Sequence, residues 1–401
     1  MGGPKLSAIS RIPYWLVCLR GNGVQWIARL HEVYGSVVRF GPNDLSYTDS
    51  QAWKDICTTP KGRRENGKDA LFHGPANSGA PQMIIDNDPE HHNLVRRQFA
   101  PAFSEKSLKA QEPLLQKYAN LLVARGREAA VTATVVNMTK LFNFTTFDSM
   151  ADMTFGESLH MLENNQYSEW VEGVLSFIRI LPFIQLLKYY PILDKIFELI
   201  EPKSIAKMRL DNYNYTARRV DKRLEAGAGR EEDVWNLVIR SGVVSKEEMY
   251  SNAELLMIAG TETTGLTYYL GMNRDKMKIL TDEIRRTFSH SSEITLEALA
   301  KLENPEKFAP ERWLRNPECD PEYADDNREA HQPFSVGPRN CVGLNLAWHE
   351  MRLLLAKVVY NFDIELQVGP DWREQNAYLT WDRKPLMCRL REVNDTAVAS
   401  S

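Results

Sequence analysis

The sequence lacks a basic surplus and a cysteine framework, and each absence excludes a class of protein. The 401 residues include 49 lysines and arginines against 53 aspartates and glutamates, a net charge of −4. A nucleic-acid-binding surface needs a strong excess of positive charge, so no nucleic-acid partner is predicted. Only five cysteines occur, and none forms a C-x-x-C pair. This argues against zinc patterns and a disulfide scaffold and favours a reducing compartment.

Long apolar runs are also missing. The N-terminal segment has no continuous apolar core, which argues against a signal peptide. The closest approach to a membrane span, residues 174–193, contains Arg179, Lys188 and two prolines. Two interpretations of this run stay open. It lies on a membrane surface or lines an apolar cleft, or it forms two amphipathic core helices joined at Pro182.

Apolar periodicity predicts a mostly α fold with small β-sheets, an α+β chain, and no clear domain boundary divides residues 1–401. No repeat or low-complexity linker divides it. Residues 24–34 read as a helix that ends at Gly35, and residues 89–288 show helical spacing almost throughout. Strands are predicted on both sides of the turn at 41–43, and at 362–368 and 386–393.

The stretch FSVGPRNCVG, residues 334–343, places one cysteine between two glycines and directly before an apolar helical run. A helix N-terminus supplies positive potential and free N–H groups, which favour a thiolate at Cys341. Gly337 and Gly343 permit tight turns that a side chain would block. Arg339 can form a forked contact with a carboxylate. A cofactor that takes an axial thiolate and carries carboxylates is haem.

These residues resemble the haem-binding signature of the cytochrome P450 family, F-x-x-G-x-R-x-C-x-G. The signature is matched by Phe334, Gly337, Arg339, Cys341 and Gly343. The resemblance covers most of the chain, and it implies the P450 fold with haem b bound through the Cys341 thiolate. A buried cysteine in a chance loop is the alternative.

A second motif, AGTETT at residues 259–264, lies within a helical pattern. Threonine hydroxyls compete with the helix hydrogen bonds, so a local bulge is predicted. In the family, Glu262 and Thr263 match the acid–alcohol pair that delivers protons to bound dioxygen. A capping box around Thr261 is the alternative.

A third motif holds His92 and Arg96, four residues apart and so on one side of a helix. The family uses a Trp and an Arg at this spacing to hold a haem propionate, and the His ring N–H can replace the Trp donor. A solvated basic helix face is the alternative.

A block of the family pattern is missing near residues 302–304. Pro310, Glu311, Arg312 and Trp313 match the family's P-E-R segment, but the Glu-x-x-R helix that should pair with Arg312 and the adjoining strands are absent. Glu283 and Arg286 spell that motif, but they match a different family helix. An incomplete gene model or a splice product explains the loss. The N-terminal membrane anchor of eukaryotic members is also absent.

The resemblance implies a fungal microsomal haem-thiolate monooxygenase that oxidises an apolar small molecule in secondary metabolism, such as a terpenoid, polyketide or alkaloid. Dioxygen is the co-substrate, and electrons come from NADPH through NADPH–cytochrome P450 reductase. The implied location is the cytosolic face of the endoplasmic reticulum, with possible peripheral membrane contact. Predicted pocket walls are residues 61–86, 177–190, 254–258 and 381–385. A basic docking face for the reductase is predicted at Arg96, Arg97, Lys106 and Lys109.

Two other functions stay open. A haem-thiolate isomerase or dehydratase would not use dioxygen, and the intact Glu262 and Thr263 argue against it. A degenerate haem-binding remnant or non-functional isoform is consistent with the missing block.

Overall fold

Helices form most of the described chain, and short strands lie near its two ends. The computed structural model describes residues 2–59, 63–73, 80, 82–200, 202–227, 234–258, 263–288, 290–295, 328–378 and 380–393. In the first half the helices are α1 (Ile12–Cys18), α2 (Gly23–Tyr34), α3 (Gln51–Cys57), α4 (Ala70–His73), α5 (Pro89–Phe99), α6 (Glu105–Val131), α7 (Met138–Phe155), α8 (Met161–Asn164) and α9 (Glu169–Lys188). They continue as α10 (Pro191–Ile200), α11 (Lys203–Glu225), α12 (Val234–Ser241), α13 (Lys246–Ile258), α14 (Thr263–Met272), α15 (Arg274–Thr287) and α16 (Leu344–Asn361).

The strands form three small antiparallel sheets. They are β1 (Val37–Gly41), β2 (Asp44–Tyr47), β3 (Val135–Asn137), β4 (Phe362–Leu366), β5 (Asn376–Ala377), β6 (Trp381–Asp382) and β7 (Met387–Glu392). β1 pairs with β2, β5 pairs with β6, and β7 lies between β3 and β4. The three-stranded sheet of β3, β7 and β4 therefore joins the C-terminal strands to the start of α7.

Side-chain caps fix where several helices begin. Asp88 accepts a hydrogen bond from the Glu90 N–H, and Pro89 occupies the first turn of α5, where its missing N–H costs nothing. Ser104 caps α6 in the same way, accepting from the Ser107 N–H at 3.3 Å. α5 contacts the loop that precedes α16 through Arg96 and Asn340, and α6 packs against α16 itself.

The core is centred on α7, which is buried on nearly every face. It packs against α6 and α13, and α16 packs against α6. A helix that is apolar or buried all round belongs inside a protein, because no stripe is left for solvent. The core therefore supports α16, the helix that the cysteine loop feeds.

The predicted fold class is confirmed: the chain is mostly helical with small sheets at its ends. The helix before Gly35 and the strand pair around the turn at 41–43 are also confirmed. The interpretation of two helices joined at Pro182 is wrong. α9 runs through Pro182, and the break comes just before Pro191, which takes the first position of α10. Among the described residues α9 alone is long and apolar enough to span a membrane, which is weak evidence because core helices pass the same test.

Candidate functional site

The cysteine loop is a tight turn that ends directly on α16. The Cys341 N–H donates to the Phe334 carbonyl at 2.8 Å, and the Asn340 N–H donates to the Gly337 carbonyl at 3.1 Å. The Gly343 N–H donates to the Cys341 sulfur, whose residue is exposed. The loop therefore presents one thiol at the first turn of a helix.

The two glycines of this loop have different roles. Gly337 has φ +80°, and a Cβ there would lie 2.0 Å from the Cys57 carbonyl oxygen at the end of α3. Only glycine fits this close approach. Gly343 has φ −87°, and a Cβ would be 3.9 Å from the Cys341 Sγ. The prediction that a side chain would be blocked is thus supported at Gly337, whereas within the chain itself a Cβ at Gly343, the residue before α16, would make only an ordinary contact.

Electrostatics at Cys341 act in two directions. Loop atoms displace part of the water around the thiol, and this desolvation raises its pKa. The Gly343 N–H and the Arg96 charge act in the opposite direction by favouring the thiolate. Desolvation outweighs these two effects in the free thiol, and a thiolate at Cys341 that binds a metal stays a prediction.

α5 brings the predicted pair, His92 and Arg96, to the cysteine loop. Arg96 donates through Nη1 to the Asn340 carbonyl at 2.7 Å and through Nη2 to Asn340 Oδ1 at 2.6 Å. His92 is only 2% exposed, and its Nδ1 has no hydrogen-bond partner among the described residues. Burial, and next the charge of Arg339, lower the His92 pKa, so the ring is neutral. The solvated-face alternative is therefore wrong for this pair.

Arg339 is held on two sides. Its Nε donates to Glu65 Oε1, and its Nη1 donates to the Asp86 carbonyl at 2.6 Å. Its Nη2 is buried and lacks a partner within the described chain. The sequence predicts Glu65 and Asp86 only as part of a pocket wall, not as partners of this arginine, from which they lie 274 and 253 positions away.

Other predicted site residues are placed less fully. The Phe334 ring packs on Trp348 of α16 with centroids 5.8 Å apart. Thr263 is the first residue of α14. Residues 259–262, which include Glu262 and most of the bulge predicted for 259–264, lie outside the described residues. Residues 302–304 and the P-E-R segment also lie outside them.

Contacts link three of the four predicted pocket walls, 61–86, 177–190 and 381–385, and they link the first of these to α13 just before the fourth wall, 254–258. Gln185 of α9 donates to the Phe72 carbonyl at 2.8 Å, and Arg179 of α9 pairs with Asp382 of β6 at 2.8 Å. On α13, Asn252 accepts a hydrogen bond from the Met83 N–H at 2.9 Å, and Ser251 donates to the Ala80 carbonyl at 2.8 Å. The segments predicted to surround a substrate are thus neighbours in space.

Comparison with known proteins agrees with the loop geometry. The cytochrome P450 family model matches residues 11–303 and 303–388. The chain belongs to the cytochrome P450 family. This P450 is 37% identical to cytochrome P450 monooxygenase efuB of Hormonema carpetanum, over 97% of this chain and 90% of that protein. It is 35% identical to averantin hydroxylase of Dothistroma septosporum (97% and 85%) and to cytochrome P450 monooxygenase FUM2 of Gibberella moniliformis (96% and 96%).

The match also bears on the missing block. The two matched segments of the P450 model meet at residue 303, inside the range where a deletion is predicted. The alignment with efuB extends over 460 residues, more than the 401 of this chain, so that relative has residues without a counterpart here. The position and origin of the loss stay a prediction.

The enzyme is a P450 monooxygenase, and its family implies haem with a cysteine thiolate and electrons from a reductase. The residues present fit such a cofactor. An exposed thiol lies at a helix start, and two buried donors, Arg339 Nη2 and His92 Nδ1, have no partner in the described chain. Buried polar groups rarely stay unpaired, so this donor set suits an added carboxylate.

Proposed function

We propose that this P450 binds haem b through Cys341 and oxidises an apolar small molecule of secondary metabolism. The exposed residue Cys341 directly before α16 carries the proposal, because backbone hydrogen bonds hold its loop against the start of that helix. Bound haem supplies the activation of dioxygen that monooxygenation needs.

The chain's own residues have separate roles in this proposal. Arg339 Nη2 and His92 Nδ1 would donate hydrogen bonds to haem carboxylates, because both are buried donors without a described partner. Arg96, bonded twice to Asn340, fixes the loop and adds positive charge beside Cys341. Its direct contact with a propionate stays a prediction. The Glu262 carboxyl and the Thr263 hydroxyl would hold and pass the protons that the reaction consumes.

The substrate would lie between α9, α13 and the segments around Phe72 and Trp381. Their mutual contacts support a shared chamber, and α9 has an apolar sequence. One relative is named averantin hydroxylase, which supports a hydroxylation reaction here. Monooxygenase names among the relatives favour this function over an isomerase or dehydratase.

Peripheral membrane contact and reductase docking belong to the same proposal. Large apolar side chains are exposed near the N-terminus and along α10, including Ile9 (78%) and Leu199 (86%). A 3.2 Å hydrogen bond between Ser10 and Tyr190 brings these two regions together, which supports contact with the endoplasmic reticulum surface. For docking of the NADPH-dependent reductase, Arg96 is not available because it binds Asn340. Arg97, Lys106 and Lys109 are exposed.

Replacement of the sulfur tests the proposal. Cys341→Ser should abolish the thiolate signature in the reduced carbon-monoxide difference spectrum, because a hydroxyl is a poor ligand for haem iron. Cys57→Ser, at a half-buried cysteine on α3, should keep the wild-type spectrum. An intact thiolate spectrum in Cys341→Ser would reject Cys341 as the ligand.

A further inference from the structure

Glu65 forms a buried ion pair with Arg339 of the cysteine loop. Only 10% of the Glu65 side chain and 11% of the Arg339 side chain are exposed. Burying an ion pair costs desolvation energy, which good geometry and further hydrogen bonds must offset. The pair therefore has to hold a well-defined arrangement.

The three nitrogen atoms of the Arg339 guanidinium group have different surroundings. Nε is bonded to Glu65, Nη1 donates to the Asp86 carbonyl at 2.6 Å, and Nη2 is left over within the described chain. Since the group is planar, fixing Nε and Nη1 also fixes where Nη2 points.

Asp86, whose carbonyl accepts from Arg339 Nη1, is itself held by a side-chain contact. Asp86 Oδ2 contacts His91 Nδ1 at 2.5 Å, and His91 Nε2 contacts Glu248 Oε1 of α13 at 2.9 Å. Both ring nitrogens face carboxylates, so His91 has a raised pKa, with Asp86 as its largest cause. The Asp86 backbone is thus tied to a core helix, and Glu65 is the remaining support of the arginine.

Glu65 also belongs to the charge environment of the unpaired His92. Its carboxylate raises the His92 pKa, while burial and the Arg339 charge lower it. Glu65, Arg339 and His92 therefore lie close enough to interact, and the two unpaired donors belong to the same cluster.

We infer that Glu65 is a positioning residue for the haem cofactor. It holds Arg339 by Nε, so that Nη2 stays free for a haem carboxylate, and it shares the arginine's positive charge with that carboxylate. This inference rests on the proposed haem site at Cys341. It extends the site to residues 63–73, a segment for which the sequence predicts only a pocket wall.

The test uses the full-length, haem-loaded protein with Glu65→Ala and Glu65→Gln. We expect Glu65→Ala to transfer haem to excess apomyoglobin roughly tenfold faster, because the arginine loses a charge-assisted hydrogen bond that orients it. Glu65→Gln keeps an oxygen acceptor for Nε, so its transfer rate should stay within about twofold of wild type. Both variants should show a more positive haem reduction potential, because a nearby negative charge is gone.

Asp44→Asn is the matched control. Arg11 and Asp44 form another arginine–carboxylate pair outside the cysteine-loop cluster, with Nε–Oδ2 at 2.6 Å and Nη2–Oδ1 at 2.8 Å. This variant should lower thermal stability and leave haem transfer and potential unchanged.

Wild-type transfer rate and wild-type potential in Glu65→Ala would overturn the inference. If Glu65→Ala does not fold, an unchanged potential in Glu65→Gln would overturn it equally. A wild-type protein without a thiolate spectrum would instead refute the proposed haem site, so the two failures are distinguishable.

Discussion

The buried Glu350 carboxyl should make this P450 less stable as the pH rises through neutrality. Glu350 lies on α16 and is 6% exposed, and it accepts a hydrogen bond from Ser149 Oγ of α7 at 2.9 Å. Burial raises its pKa from 4.5 to about 7. Among the described residues no cation pairs with it, so the neutral acid is the form that the core accommodates.

The direction of this pH dependence follows from proton binding to Glu350. The folded-state pKa of Glu350 is higher than the unfolded one, so the folded protein binds more protons between about pH 4.5 and 7. The stability that this carboxyl contributes is fully present below about pH 4.5 and is lost as the pH rises through about 7. Integration of these two pKa values gives a loss of about 2.5 kcal/mol between roughly pH 5 and 8.

Glu350→Gln removes this titration and keeps the shape and an acceptor for Ser149. Its free energy of unfolding relative to wild type should therefore rise by about 2.5 kcal/mol between roughly pH 5 and 8. Urea unfolding followed by far-UV circular dichroism at several pH values measures the difference. Glu128→Gln, where the side chain is 63% exposed beside Arg125, should show a flat difference. A flat difference for Glu350→Gln as well would refute a neutral buried acid at this position.

Three further predictions concern the loop, the core and the pocket. Gly337→Ala should lower haem occupancy, because the new methyl group would meet the Cys57 carbonyl. The ratio of Soret to protein absorbance measures this occupancy. The control Gly227→Ala, also at positive φ but in open space, should keep the wild-type occupancy. Asp148→Ala should lower the free energy of unfolding by about 3 kcal/mol or more, because three buried backbone N–H groups lose their acceptor. Urea unfolding measures this change, and a decrease below about 1 kcal/mol would contradict the prediction. Burial raises the pKa of Glu254 to about 7. Glu254→Gln should therefore flatten the pH dependence of substrate affinity between roughly pH 6 and 8, as measured by spectral titration. An unchanged pH profile would place Glu254 outside the pocket.

The parts of the site that are contiguous in sequence could be predicted. The cysteine loop and the helix after it occupy one stretch. Helical spacing predicts that His92 and Arg96 share one side of a helix, and the family resemblance predicts that this side faces the loop. The helix through Pro182 was mispredicted because tertiary packing of α9 tolerates an internal proline. The helix N-terminus beside Cys341 is visible in sequence, whereas the desolvation that raises the pKa of the free thiol depends on the folded loop.

Glu65 shows why the remainder of the site could not be read from sequence. The segment that contains it has no regular periodicity, and its partner Arg339 lies 274 positions away. A motif specifies which donors a loop offers, but the direction of each donor depends on what holds the rest of the side chain. For Arg339 those holders are Glu65 and the Asp86 carbonyl, from one stretch before α5. Haem affinity in this P450 should therefore depend on residues outside the signature, through their control of one guanidinium nitrogen.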